Sequence, residues 1–212
     1  MKTDKKQHRD TYRYILEQAV FLFAKNGYNG VSMRDLSKAV GVSAAALYHH
    51  FTDKETLYLE VMKHAFKDKA AAIVEALNAS GSPQKRLESF LESLIHLIAA
   101  DPDFRALVQW ELLDNDDARL KMVAERVFLE PFKGISKLAE ELAPEVDPHM
   151  LSISIIGLVM FYFESASMRR FLPGWRPEQS DPKKLSLHLT QLLTGSLGLR
   201  VENVTSDELR IE

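Results

Sequence analysis

Two stretches of about two helical turns each, residues 32–40 and 43–50, are separated only by Gly41 and Val42. No other feature restricts the fold of this chain so tightly. A glycine at that place supplies the left-handed backbone that an abrupt inter-helix turn needs. Leu36, Val40, Val42 and Leu47 flank the turn as apolar positions, and small Ser37 lets the two helices cross closely. Ser32 is a good N-cap, with Asp35 where a capping box wants an acid, and Ser43 caps the second stretch. The pattern is that of a helix-turn-helix, which many ordinary helical hairpins share.

Helical spacing continues nearly everywhere, and no alternating apolar–polar runs bounded by turns suggest a sheet. A first helix is expected from about 9 to 25, with Tyr12, Ile15, Leu16, Ala19 and Phe23 as its apolar stripe and Asn26-Gly27 as its stop. A fourth opens at Thr52, with Glu55 three residues on as a capping box, and runs to about 79 before Ser80-Gly81-Ser82-Pro83. Further helices are expected near 84–100, 102–114, 116–142 (interrupted around Pro131), 148–171 and 181–197. A Pro173–Pro177 loop precedes the last, and the polar tail 202–212 is expected to fray. The expected fold is all-α: a three-helix helix-turn-helix domain at 1–55 and a larger helical domain at 56–212, with the long fourth helix serving both.

The chain has no cysteine, which excludes disulfides, thiolate zinc sites and cysteine nucleophiles. Its start, MKTDKKQHRD, lacks the apolar core of a signal peptide. The longest apolar run, Ile155–Phe163, is far short of the ~20 residues of a membrane span. A soluble cytoplasmic protein is expected. Net charge is −3, yet residues 1–55 hold nine Lys/Arg against six Asp/Glu, so a basic amino-terminal piece precedes an acidic body.

Tyr48 follows core Leu47 and points away from the core, and Lys54 falls in the first turn of helix four, where the helix dipole favours an anion. That grouping suits a phosphate backbone. His49 and His50 diverge by about 100° on a helix and cannot converge on one metal. No metal site and no cofactor are expected. His96, in SFLESLIHLIAA, reads as a satisfied core histidine. No Ser/His/Asp arrangement, paired carboxylates or phosphate loop supports an enzyme.

The stretch from Ile15 to Leu57 resembles the DNA-binding region of TetR-family transcriptional regulators. The resemblance rests on Ile15-Leu16, Ala19, Leu22-Phe23, Gly27-Tyr28, Val31-Ser32-Met33, Leu36, Gly41-Val42-Ser43, Leu47-Tyr48, His50-Phe51, Asp53-Lys54-Glu55 and Leu57. It implies that the third helix enters the major groove of an operator and that the larger domain dimerises and binds a small molecule. Carried over by position, Ser43, Ala44, Ala45 and Ala46 line the reading helix. Tyr48 and His49 contact phosphates or base edges, Lys54 contacts phosphate, and Ser32 and Met33 approach the backbone. Family members often carry a basic residue and a glycine where this chain has Ala44-Ala45. Alanine contacts only a thymine methyl or lets the backbone approach, so base readout leans on Ser43, His49 and Arg34 or on DNA shape.

The helix at 148–171 is apolar almost all round over Ile153–Phe163 and must be buried against several partners. The resemblance makes it and the 181–197 helix a homodimer interface. The expected effector cavity is lined by Phe90, Leu94, Val108, Trp110, Glu111, Phe128, Phe132, Phe161 and Glu164, all of which could equally be core. Glu164, as a buried carboxylate, would need Arg169, Arg170 or a ligand as partner. The expected function is a ligand-responsive repressor that binds a palindromic operator. The alternative is a hydrophobic-ligand carrier or sensor without operator specificity.

Overall fold

The computed structural model describes residues 2–197, with side chains from Asp10 onward except residue 68. The tail at 202–212 lies outside the described residues. The described chain contains no strand. Its helices are α1 Lys2–Asn26, α2 Met33–Val40, α3 Ala44–His50, α4 Lys54–Leu77, α5 Pro83–Ala100, α6 Pro102–Asp114, α7 Asp117–Val123, α8 Leu129–Leu142, α9 Pro148–Glu164, α10 Ala166–Arg169 and α11 Pro182–Ser196. They fall into two compact units, one within Met1–Ala71 and Ala100–Glu130, the other within Ala72–Ala99 and Pro131–Glu212. Helix α4 passes from one into the other. The division differs from a cut at residue 55, because α6 and α7 cluster with the amino-terminal helices.

In the first unit α1 packs on α2 and α6, and α2 on α3. Ile15, Ala19, Phe23, Leu36, Leu47, Leu57, Val61 and Met62 are fully buried there. Each large side chain in that set contributes about 1.5–3 kcal/mol of transfer free energy. The turn forms as its residues dictate. Ser32 accepts from the Asp35 N–H while Asp35 accepts from the Ser32 N–H. Gly41 adopts φ 75° and sends its N–H to Lys38, and Val42 sends its own to Ser37 at 3.0 Å. Gly27 is also left-handed, at φ 69°, and a Cβ there would lie 3.0 Å from the Trp110 ring. The Trp110 indole N–H donates to the Ala24 carbonyl at 3.0 Å, so α6 closes on the end of α1 through a glycine-sized gap.

Several boundaries differ from expectation for identifiable reasons. Helix α1 begins at Lys2 rather than near 9. Asp53, not Thr52, caps α4: its carboxylate accepts from the Thr56 N–H at 2.7 Å, while the Thr52 hydroxyl meets Asp53 and Thr56 side chains. The 116–142 helix is interrupted upstream of Pro131, by a π-helical turn at Ala124–Phe128. Proline offers no N–H to the carbonyl four residues back and its ring crowds that carbonyl, so the wider turn absorbs the conflict. The 148–171 helix is broken at Ser165 into α9 and α10.

In the second unit the core is built by Leu87, Phe90, Leu91, Ile95 and Ile98 on α5, Leu138 and Ala139 on α8, Ile155 and Val159 on α9, and Leu185, Leu189 and Leu193 on α11. Gly134 packs on Leu77 with no room to spare, since a Cβ would lie 2.9 Å from that side chain. Helix α9 is not buried all round. Leu151, Ile155 and Val159 face inward, while Met150, Ile153, Leu158 and Phe161 are exposed, Phe161 by 66%. His96 is exposed rather than a core histidine. Glu164 is exposed too and needs no buried partner.

Candidate nucleic-acid interface

Helix α3 is seven residues long, and Leu47 is its one buried side chain. That leucine anchors it against α2. Ala44, Ala45, Ala46, Tyr48 and His49 are all exposed, as is Ser43, whose hydroxyl accepts from the Ala46 N–H at 3.1 Å. The result is a nearly flat strip of methyl groups ending in a phenol that is 52% exposed and an imidazole. Ser32 and Arg34 are exposed beside it and Met33 is half-buried. His50 turns inward, its ring 6.1 Å from that of Tyr12, so the two adjacent histidines part company. Among the described residues no three His, Asp or Glu side chains gather as metal ligands.

Lys54 opens α4 and its ammonium lies 4.0 Å over the Tyr28 ring. Burial, and then the nearby Arg119 charge, pull Lys54 below its ordinary pKa, with Asp114 opposing. Since Asp53 already accepts from the first turn of α4, the lysine is the main thing that helix start offers an anion. Asp35 and Asp53 are both held below the usual carboxylate range, Asp35 chiefly by Ser32 and Asp53 chiefly by the Thr56 N–H.

Behind Tyr28 lies a cluster that sequence reasoning missed. Arg119 on α7 is 4% exposed and its guanidinium lies 4.3 Å from the Tyr28 ring centroid. Its Nε donates to both Glu111 oxygens at 3.0 and 3.1 Å, and NH2 donates to Asp114 at 2.5 Å. Glu111, also 4% exposed, accepts from the Tyr58 hydroxyl at 2.8 Å. Asp114 accepts from the Asn29 amide at 2.7 Å, which ties the turn after α1 to the end of α6. Burial alone would lower the Arg119 pKa, but its bond to and the charge of Glu111, with Asp114 and Asp116, hold it above the ordinary value. Burial first, and then Glu111, push the Tyr58 hydroxyl far up. The cluster fixes the Arg119 guanidinium, which packs on one ring, Tyr28, that also lies under Lys54. Its only sequence signal was the run Glu111–Arg119, with three further carboxylates between the two ends.

The nine residues expected around an effector divide between the units. Val108, Trp110, Glu111 and Phe128 lie in the first. There Glu111 is committed to Arg119 and Tyr58, Trp110 to Gly27 and Ala24, and Phe128 meets Phe66 edge-on at 5.1 Å. Phe90, Leu94, Phe132, Phe161 and Glu164 lie in the second. Phe90 and Leu94 are buried core, Phe132 meets His149 edge-on, and Phe161 and Glu164 are exposed.

A two-turn helix seated by a left-handed glycine, with Leu47 its one buried side chain and capped helix starts on either side, is a helix-turn-helix motif. The profile described as "Bacterial regulatory proteins, tetR family" matches residues 15–61. Over that stretch the chain is similar to the DNA-binding region of TetR-family transcriptional regulators. It is 34% identical over 103 residues to the transcriptional repressor AcnR of Corynebacterium diphtheriae, covering 43% of this chain and 52% of that protein. It is 25% identical over 169 residues to the transcriptional activator FasR of Mycolicibacterium smegmatis, covering 79% and 74%. The chain spans about half the length of the first curated relatives it matches. Among solved structures, FadR of Bacillus subtilis in complex with stearoyl-CoA superposes with a TM-score of 0.70 at 19% identity, covering 86% of this chain and 97% of that one. No helix among the described residues is long and apolar enough to cross a membrane.

Proposed function

We propose that this protein is a ligand-responsive repressor that binds a palindromic operator as a homodimer and leaves it when a small molecule binds. The observation that carries the reading is α3: a two-turn helix with only Leu47 buried and Ala44, Ala45, Ala46, Tyr48 and His49 exposed. Ser32, Met33 and Arg34 at the start of α2, with Lys54 at the start of α4, supply the phosphate-facing margin. Ser43, Ala44, Ala45, Ala46, Tyr48 and His49 form the reading face. With methyl groups in place of hydrogen-bonding side chains, specificity comes from thymine methyls, DNA shape and the neighbours Arg34 and His49. Residues 1–55 act as the DNA-binding part and 56–212 as the effector and dimer part.

The homodimer reading is supported by the outward apolar faces of α9 and α11. Met150, Ile153, Leu158 and Phe161 line one and Leu187 and Leu192 the other, with open space over Gly157 and Gly195. Apolar helix faces of this kind are covered by partners in soluble proteins. The effector must bind the non-DNA-competent conformation better, since only differential affinity can release DNA. The acyl-CoA bound by the FadR structure makes acyl thioesters the first class to screen.

A gel shift on the DNA upstream of the protein's own gene tests the reading. A specific, strongly salt-dependent shift is expected, weakened by Lys54→Ala about equally on all sequences. No specific shift at moderate salt would sink operator binding. A shift that survives every ligand yet coincides with raised transcription would make it an activator, as FasR is named.

A further inference from the structure

Three permanently cationic side chains in the second unit border a cavity, with one acid beside them. The cavity has a volume of about 560 Å³ and lies where the end of α9, α10, the 176–180 loop and α11 meet. Arg169, Arg176, Lys184 and His188 border it, and Glu178 is the one acid there. None of the three permanent cations forms an ion pair with a described residue within 4 Å. Arg169 carries the argument. Its guanidinium carbon lies 3.5 Å from the centroid of Tyr162, whose hydroxyl donates to the Gln179 carbonyl. Its Nε and NH1 are shut off from solvent and have no hydrogen-bond partner among the described residues.

A desolvated cation without partners is unfavourable, and a ring face offsets only part of that. The Tyr162–Gln179 bond holds the ring, and through it the guanidinium, against the loop that brings Arg176 to the same opening. Two planar guanidiniums and an ammonium around one opening match an acceptor with several oxygens and more than one charge. That describes a phosphate better than a carboxylate. The volume falls within the range of small-molecule sites.

We propose that this cavity binds the phosphate or diphosphate group of a small, nucleotide-sized molecule. Arg169 and Arg176 grip the oxygens, and Lys184 adds a point charge. The proposal concerns residues outside the apolar set expected to line an effector pocket, and it does not depend on operator binding.

The test is calorimetric titration of the full chain at low salt with pyrophosphate, ADP and, at matched ionic strength, acetate. Saturable binding of pyrophosphate and ADP, but not acetate, is expected. Arg169→Met should weaken it by at least about tenfold, and so should Arg176→Gln, which lies on an exposed loop and leaves the core untouched. Lys183→Gln, an exposed neighbour outside the cavity, should leave it unchanged. Equal binding by the Arg176→Gln and Lys183→Gln variants, equal binding of acetate, or no saturable heat would each overturn the site. So would a change of molar mass on light scattering in Arg169→Met without loss of pyrophosphate binding, which would assign the arginine to contact between copies.

Discussion

Arg119 and Arg169 both lay a guanidinium on a tyrosine ring, Arg119 fully buried and Arg169 half-buried, and there the likeness ends. Arg119 has Glu111, Asp114 and Asp116 within 4 Å, and its cluster adds Tyr58 and Asn29. Arg169 has Tyr162 and no acceptor for two of its nitrogens. A buried charge with a full set of partners fixes geometry, since removing any one partner strands the rest. A charge with two nitrogens shut off from water and no acceptor for them is held in place at some expense to stability, the pattern of a group arranged for something else. In this chain the first kind packs on Tyr28, over which Lys54 lies, and the second borders a cavity.

The contrast is sharpest in stability. Arg119→Met leaves Glu111 buried beside Tyr58 with no cation, and breaking a buried pair in this way costs about 3–5 kcal/mol. Urea unfolding followed by circular dichroism should show that loss. A loss below about 1 kcal/mol would mean that water or Lys54 replaces the arginine and that the cluster is not a lock. The same variant frees one neighbour of the Tyr28 ring. In protein that remains folded, DNA affinity should therefore fall while the sequence preference is unchanged.

Tyr58→Phe is the milder cut into the same cluster. It removes one hydrogen bond to a charged acceptor that keeps its arginine, and about 1.5–3 kcal/mol is the usual range for such a bond. A smaller loss than for Arg119→Met is expected in the same urea experiment. An equal loss would put the weight of the cluster on the tyrosine.

The helix starts around α3 set the acid limit of the first unit. Asp35 and Asp53 have pKa values below the unfolded carboxylate value. Their caps are therefore fully stabilising above that unfolded value and are lost as pH falls through the lower, folded one. Stability of the first unit should be flat near neutrality and decline in acid. Asp53→Asn keeps a capping acceptor without the proton, so it should flatten the decline. Asp53→Ala should cost about 1 kcal/mol at neutral pH as well. An unchanged acid limb in Asp53→Asn would move the titrating group elsewhere.

What the sequence made legible was local. Ser32, Asp35, Gly41 and Ser43 could be placed because a cap or a left-handed turn is decided within four residues. Thr52 and Asp53 illustrate the limit of that, since adjacent residues can both cap and only the backbone path decides between them. The π-turn before Pro131 was half legible: the conflict could be foreseen, its place could not. Glu111 and Trp110 read as pocket lining because their true partners, Tyr58, Arg119, Gly27 and Ala24, include residues more than 50 positions away. Glu164 was read as buried because an apolar run precedes it, but an apolar helix can turn one face outward. The cationic cavity draws on residues from 162 to 188 across three helices and the 176–180 segment, and no spacing rule gathers those.

The smallest expected effect separates the two arginines most cleanly. Replacing a half-buried cation that has no acceptor for two of its nitrogens by an apolar side chain of similar length removes a desolvation penalty and strands no partner. Arg169→Met should therefore be neutral or slightly stabilising in urea, within about 1 kcal/mol of the parent, where Arg119→Met loses several. Tyr162 keeps an apolar neighbour and its hydroxyl keeps Gln179. A loss of 3 kcal/mol or more would mean that Arg169 has partners in solution that the single chain does not provide. Light scattering on the same samples then tells whether they come with a second copy. If stability holds while pyrophosphate binding falls, Arg169 is kept for binding a ligand and Arg119 for holding the fold.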